Sequence, residues 1–143
     1  MFRKILVPVI GSQVDEEVIK LACRLARQDK SEIHALHIIT VKRDLPLDAE
    51  IQPEIQKAED ILNHIETVAE KEKYKINTDL LQARQVEQGI VDEAAKQGFD
   101  LILIGLGYKR RFGEFSLGDV VPYVLKNAPC PVIIYQCPGE LAV

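Results

Sequence analysis

The sequence is poor in cysteine, and its three cysteines lack the pairing that metal sites and redox motifs use. The cysteines are odd in number, and no two of them have C-x-x-C spacing: they are Cys23, Cys130 and Cys137. No histidine lies near Cys130 or Cys137 in sequence, which disfavours a zinc site. Because the first residues run straight into a predicted strand with no secretory leader, we expect a cytoplasmic protein with reduced thiols.

Long apolar runs and an excess of positive charge are also absent. No apolar run approaches the roughly 20 residues that a membrane helix needs, so we expect no membrane partner. The formal net charge of −4 disfavours nucleic-acid binding, for which a basic face is expected. A chain of 143 residues with 47% hydrophobic residues predicts one globular domain over residues 1–143.

The common catalytic fingerprints are missing as well. Residues 105–110 read Gly-Leu-Gly-Tyr-Lys-Arg, which lacks both the last glycine of the dinucleotide motif and the Gly-Lys-Ser/Thr of a P-loop. Ser12 and Ser116 lie in no nucleophile-elbow context. His37 lies within an apolar strand and is interpreted as a core histidine with a satisfied hydrogen bond. We therefore expect no enzymatic activity.

Short β-branched runs alternate with segments of helical periodicity along the whole chain. Predicted strands cover residues 5–10, 32–40, 78–84, 101–104 and 132–135. The first predicted helix begins after Ser12, its N-cap. The second covers about 51–69, and the third covers about 86–94 and is closed by Gly98. A fourth is predicted near 118–127. This alternation predicts right-handed β-α-β units and a doubly wound parallel sheet. The polar third strand is expected near a sheet edge.

The connection at residues 105–117 is long for a β-α loop and is the candidate ligand site. Four glycines lie within fourteen residues there, which is a costly concentration of backbone freedom. Helix amides at such a junction can hold phosphate. Two residues oppose this, because Tyr108 is bulky and Asp119 puts negative charge at the helix start. Lys109-Arg110-Arg111 either contacts phosphates or acidic groups, or is solvated.

Four segments together identify a known family. They are residues 3–9 (RKILVPV), 36–38 (LHI), 100–105 (DLILIG) and 124–132 (VLKNAPCPV). With them the chain resembles the universal stress protein family over essentially its whole length. The resemblance implies an α/β fold of the adenine-nucleotide alpha-hydrolase-like kind, with a five-stranded parallel sheet in order 3-2-1-4-5 flanked by helices, and usually a dimer.

The resemblance also implies a nucleotide site, and this chain departs from it. Nucleotide-binding members have glycine, two residues, glycine, nine residues, then glycine with serine or threonine. Gly105 and Gly118 match, but Tyr108 replaces the second glycine, Asp119 replaces the hydroxyl residue, and Ile10 replaces a strand-one aspartate. The implied site positions are Pro8, Val9, Ile10, Ile38, Ile104, Gly105, Tyr108, Gly118, Asp119 and Val120.

Two functions follow from this pattern. The first is a non-enzymatic stress-response protein that needs no cofactor and acts by dimerising and binding an unidentified protein partner. The apolar edge strand, Val132-Ile133-Ile134-Tyr135, invites pairing with a second copy, unless the tail at 136–143 shields it.

The second function is a switch that binds ATP or AMP through the Gly105–Gly118 loop, with slow ATP hydrolysis. For Cys130 and Cys137 a redox or metal role is the alternative to packing, and packing is favoured because Cys130 lies in a turn between two prolines.

Overall fold

The computed structural model describes residues 1–107, 110–111, 114–115 and 119–137, which form a sheet with helices on both faces. The strands are β1 (Lys4–Pro8), β2 (Glu32–Thr40), β3 (Asn77–Ala83), β4 (Leu101–Gly107), β5 (Arg110–Arg111), β6 (Glu114–Phe115) and β7 (Val132–Cys137). The helices are α1 (Gln13–Arg27), α2 (Gln52–Lys71), α3 (Val86–Gln97) and α4 (Val120–Asn127).

The main sheet has the order β3-β2-β1-β4-β7, and every neighbouring pair is parallel. This confirms the predicted doubly wound sheet, with β7 as its fifth strand and β3 at an edge. The chain direction across the sheet reverses between β1 and β4, so a crevice is expected beyond their carboxyl ends. The small antiparallel pair β5–β6 lies inside the β4–α4 connection, where the sequence indicated only a loop.

Several predicted boundaries were wrong by one to three residues. Strand β1 ends at Pro8 rather than at residue 10, because the backbone amides of Ile10 and Gly11 donate to a side chain of α1. Strand β4 continues to Gly107 and β7 continues to Cys137, since the two strands pair along that whole length. Helix α4 begins at Val120, two residues later than predicted. Residues 138–143, most of the tail proposed as a shield, lie outside the described residues.

Each face of the sheet has its own apolar core. Under α1 and α2 the buried residues include Ile5, Val7, Ile33 and Leu103. Under α3 and α4 they include Leu6, Leu36, Ile90, Ile102 and Val124. Neighbouring residues of one strand alternate between the two cores, as expected for strands covered on both faces.

Asp100 fastens the start of β4 to the start of β1. Its carboxylate oxygens accept the backbone N–H groups of Arg3 and Lys4, each at 2.9 Å. The register Ile5↔Leu101 follows directly after this contact. The aspartate that opens the 100–105 segment therefore has a structural role at the amino end of the sheet, away from the predicted ligand site.

The two edge strands differ in their surroundings. At β3, Gln82 Nε2 donates to the carbonyl oxygens of Leu47 and Ala49, at 2.7 and 2.9 Å. Arg84, directly after β3, donates to the carbonyl of Leu45 at 2.9 Å, so the β2–α2 connection is held against the carboxyl end of that strand. At β7, Ile133 is 36% exposed.

None of the helices in the described part of the chain combines the length and apolar character needed to span a bilayer.

Candidate ligand crevice

The turn from β1 into α1 is built around a buried carboxylate. Asp15 is only 5% exposed. Its Oδ2 accepts the backbone N–H of Gly11 at 2.6 Å, of Ile10 at 3.1 Å and of Ser12 at 3.2 Å. Such amides at a helix start otherwise lack intrahelical partners and attract anions. In this protein Asp15 supplies the anion from within the chain.

Burial raises the pKa of the Asp15 carboxyl above its usual value. The hydrogen bonds from Gly11, Ile10 and Ser12 and the nearby His37 act in the opposite direction. Asp15 was not among the site residues predicted from the sequence. The signal in the sequence that could have indicated its role was an acid three residues after Ser12, which is the spacing of a capping box. In the structure Ser12 is the N-cap of α1.

His37 has a defined partner in the same turn. Its Nδ1 lies 2.9 Å from the carbonyl oxygen of Val9, so Nδ1 carries the proton and donates it. The backbone N–H of Val9 in turn donates to the carbonyl of Leu36 at 2.9 Å. This geometry fits the predicted satisfied histidine, which ties the end of β1 to β2.

Gly105 is required by packing between a helix and the sheet. A Cβ at this position would lie 2.8 Å from Val14 Cγ1 and 3.0 Å from Val18 Cβ, both on α1. From sequence, Gly105 was assigned only to the candidate ligand loop, so this packing contact was not predicted. Gly105 continues the ladder of β4 opposite Tyr135, so no turn begins there.

The remaining strand positions of the predicted site differ in exposure. Pro8 is half-buried and Val9 is buried, while Ile10 is 67% exposed. Ile38 and Ile104 are buried in the core under α3 and α4. The Cδ1 atom of Ile38 lies so close to Gly89 on α3 that a Cβ there would be 2.7 Å away. The side chains of Ile38 and Ile104 therefore serve packing.

The start of α4 also carries an acid. Asp119 is the N-cap residue, is exposed, and makes no side-chain capping hydrogen bond. Val120 begins the helix and is half-buried. Tyr108 and Gly118, the other two predicted site positions in this connection, lie outside the described residues.

The cysteines are poorly suited to reactivity. Burial raises the pKa of Cys23 to about 11, and Cys23 is fully buried. Burial also raises the pKa values of Cys130 and Cys137. Since the thiolate is the reactive form, these shifts oppose a redox role. Within the described ranges, no three histidine, cysteine or acidic side chains gather in a way that could hold a metal ion.

An open groove lies elsewhere on the surface. It has a volume of about 340 Å³ and is lined by residues of β3 and α3, including Leu81, Ala83 and Gln88. It does not involve the carboxyl ends of β1 and β4. None of the described residues of the predicted nucleotide site lines this groove.

Comparison with known proteins places the chain in one family. A sequence model described as "Universal stress protein family" matches residues 1–136. A universal stress protein of Methanocaldococcus jannaschii is 31% identical over 146 residues, which covers 98% of this chain and 85% of that protein.

Two solved structures from Archaeoglobus fulgidus share the fold. One universal stress protein has a TM-score of 0.79 at 24% identity, covering 94% of this chain and 98% of that one. A second, in complex with dAMP, has a TM-score of 0.74 at 25% identity, covering 92% and 96%.

Proposed function

Because this chain belongs to the universal stress protein family, we propose that it is a non-enzymatic, cytoplasmic regulatory protein that acts by dimerising and binding a protein partner. In this proposal the family's nucleotide crevice is no longer used for tight ATP binding. The functional output lies in surface contacts, with the fold kept as their scaffold.

The main support for dimerisation is the apolar edge of β7. In the described part of the sheet, β7 pairs with β4 alone. Ile133 on this strand and Leu125 on the neighbouring α4 are exposed to 36% and 53%. An exposed apolar edge strand favours pairing with another strand. A second copy is the simplest occupant, because a two-fold axis lets the same edge serve both partners.

Support for weak ATP binding comes from the two acids at the helix starts. Asp15 already accepts the amides of the β1–α1 turn, and Asp119 stands at the start of α4. A crevice is expected beyond the carboxyl ends of β1 and β4, and α1 and α4 are the helices that follow these two strands in the chain. A phosphate entering there would meet negative charge where helix amides normally attract it.

The oligomeric state is the direct test of the proposal. Size-exclusion chromatography with light scattering should give the mass of a dimer at micromolar protein concentration. A monomer across the micromolar range would overturn the dimer proposal.

A nucleotide-binding switch is the second candidate. Its support is the relative of known structure that holds dAMP and is 25% identical to this chain. Calorimetric titration with ATP and magnesium, AMP and cyclic AMP separates the two functions. We expect no saturable binding at low micromolar ATP, and saturable binding there would favour the switch.

A double variant tests whether the family site has merely been blocked. Tyr108→Gly with Asp119→Ser restores the glycine and the hydroxyl residue of the nucleotide-binding pattern. If the two residues close an otherwise competent site, ATP affinity should rise in this variant. Unchanged ATP affinity would mean that the rest of the crevice has also diverged.

A further inference from the structure

The outer edge of β3 carries backbone groups that point away from the sheet. The N–H of Val41 donates to the carbonyl oxygen of Ala83 at 2.9 Å, so the polar backbone groups of Ala83 face β2. Because these groups alternate in direction along a strand, those of Leu80 and Gln82 face away from β2. In the described part of the chain, no backbone hydrogen bond from a connecting segment reaches Leu80 or Gln82. Their donors and acceptors are therefore available to a further strand.

The groove lined by β3 and α3 lies along this edge. Its lining includes the consecutive residues 81–84. Neighbouring side chains of β3 point to opposite faces of the sheet, since Leu80 packs against the core under α1 and α2 while Leu81 packs against the core under α3 and α4. A groove that touches residues of both orientations lies beside the strand. Its volume of about 340 Å³ is in the range of ligand sites.

The wall of the groove formed by α3 is acidic overall. Its charged residues are Asp92, Glu93 and Lys96, which carry two negative charges and one positive charge. Among the ion pairs of the described residues, none joins Lys96 to either acid. Asp92 is exposed and Glu93 is half-buried, so both carboxylates can meet a cation from a ligand.

The opposite wall of the groove is apolar. Leu47, in the connection between β2 and α2, lines the groove and is 48% exposed. Gln82 has the same orientation as Leu80, and its Nε2 donates to the carbonyl oxygen of Leu47 at 2.7 Å. Leu47 is thus held on the side of β3 that faces away from α3. A strand in the groove would have an acidic helix on one face and an apolar side chain on the other.

We propose that the outer edge of β3 is a docking edge for an extended, basic segment of a protein partner, which pairs with β3 as an added strand. Lysines on one face of that strand would meet Asp92 and Glu93, and apolar residues on its other face would contact Leu47. Backbone hydrogen bonds to Leu80 and Gln82 supply affinity, and the two walls select the sequence. The docking edge rests on the proposed function, because it gives the protein partner assumed there a chemical class and a place on the surface.

A peptide titration observes the docking edge directly. The probe is a capped peptide of the same length as β3 in which valine alternates with lysine. It is added to the full chain while the backbone amide resonances of β3 are followed by NMR. We expect saturable shifts and slower hydrogen exchange at Leu80 and Gln82, because their N–H groups gain an acceptor. The amides of Asp79 and Leu81, which face β2, should change much less.

Two control peptides separate strand pairing from other kinds of binding. Replacing every lysine by glutamate should weaken binding by about tenfold or more, because like charges then face each other across the groove. Methylating the backbone nitrogens that would face β3 keeps the side chains and removes the donors, so it should also weaken binding by about tenfold or more. Unchanged affinity of the methylated peptide would overturn the proposal.

A matched pair of variants tests the acidic wall. Asp92→Asn removes one charge from the groove and should weaken binding of the lysine peptide by about two- to fivefold. Glu87→Gln is the control, because Glu87 lies on the same helix and does not line the groove. It should leave the affinity unchanged. Equal losses in the two variants would show a general charge effect and would overturn the basic preference.

The titration also distinguishes other occupants of the edge. Failure of Leu80 and Gln82 to shift, or shifts confined to other residues, overturns the proposal. Shifts of these two amides that depend on protein concentration without peptide would identify a second copy as the occupant, which also overturns it. A monomer that binds the peptide keeps the docking edge and loses the dimer, whereas a dimer that does not bind the peptide does the reverse.

Discussion

Gly105 and Val14 approach each other more closely than any side chain at position 105 would permit. A Cβ on Gly105 would lie 2.8 Å from Val14 Cγ1, and 3.0 Å from Val18 Cβ. Both valines belong to α1 and are buried. The first glycine of the family's nucleotide pattern is therefore needed here for packing α1 onto β4, whether or not a ligand binds.

Gly105→Ala should accordingly destabilise the protein by about 1–3 kcal/mol through overpacking. Urea unfolding measures this change. Adding Val14→Ala should recover part of the loss, because the smaller side chain makes room for the new methyl group. Gly98→Ala is a useful contrast, since that site has open space but a φ of +68°, and should cost about 1–2 kcal/mol through backbone strain. Wild-type stability in Gly105→Ala would contradict the packing role.

The Asp15 carboxyl should make stability depend on pH with a definite sign. Burial raises the folded-state pKa of Asp15 above its usual value, so the folded protein holds this proton more tightly than the unfolded chain. The contribution is fully present below the unfolded pKa and is lost as pH rises through the folded pKa. The unfolding free energy of the wild type relative to Asp15→Asn should therefore fall with rising pH.

Urea unfolding of both proteins from about pH 3 to about pH 7 tests this dependence. Glu16→Gln controls for the loss of one negative charge from the same helical turn. A relative stability that increases with pH would show that the amide hydrogen bonds outweigh desolvation.

Removing the Asp100 carboxylate should loosen the first residues of β1. Asp100→Ala leaves the N–H groups of Arg3 and Lys4 without their acceptor and should cost about 1–3 kcal/mol. Faster amide exchange at Arg3 and Lys4 is the specific readout. Asp100→Asn keeps one acceptor oxygen and should have a smaller effect. Unchanged exchange at both amides would rule out this fastening role.

A lysine on the β7 edge should weaken the proposed dimer. Ile133→Lys places a charge on the exposed apolar edge, where pairing with a second copy would bury it. Light scattering should show a shift toward monomer, while circular dichroism stays unchanged. Thr78→Lys on the opposite edge strand, β3, is the matched control and should leave the mass unaltered. A dimer that tolerates Ile133→Lys would place the contact elsewhere.

Thiol labelling should follow burial. Cys23 is fully buried with its pKa raised to about 11, and Cys137 is buried as well, so both should react only after unfolding. Cys130 is half-buried and should label first in the folded protein. Rapid labelling of Cys23 in folded protein would contradict its assignment to the core.

The type and order of the main elements were predictable because they depend on local patterns. Continuous β-branched runs such as residues 5–7 mark strands buried on both faces, and the family segments implied the strand order that the structure confirms. Ser12 and Gly98 were identified as helix boundaries, since capping depends on neighbouring residues. Strand ends were less predictable, because pairing with a neighbour extends β4 and β7.

The sequence named candidate site positions, whereas the contacts that those residues make depend on segments distant in the chain. Ile10 and Asp119 could be recognised as departures from a nucleotide site by their residue type alone. The role of Asp15 could not, because it depends on how the turn after β1 folds back over the first turn of α1. The need for glycine at position 105 was equally hidden, because it arises from the side chains of Val14 and Val18, about ninety positions earlier in the chain. The packing of α1 on the sheet brings them into contact, and the hydrophobic periodicity of the sequence does not specify that packing.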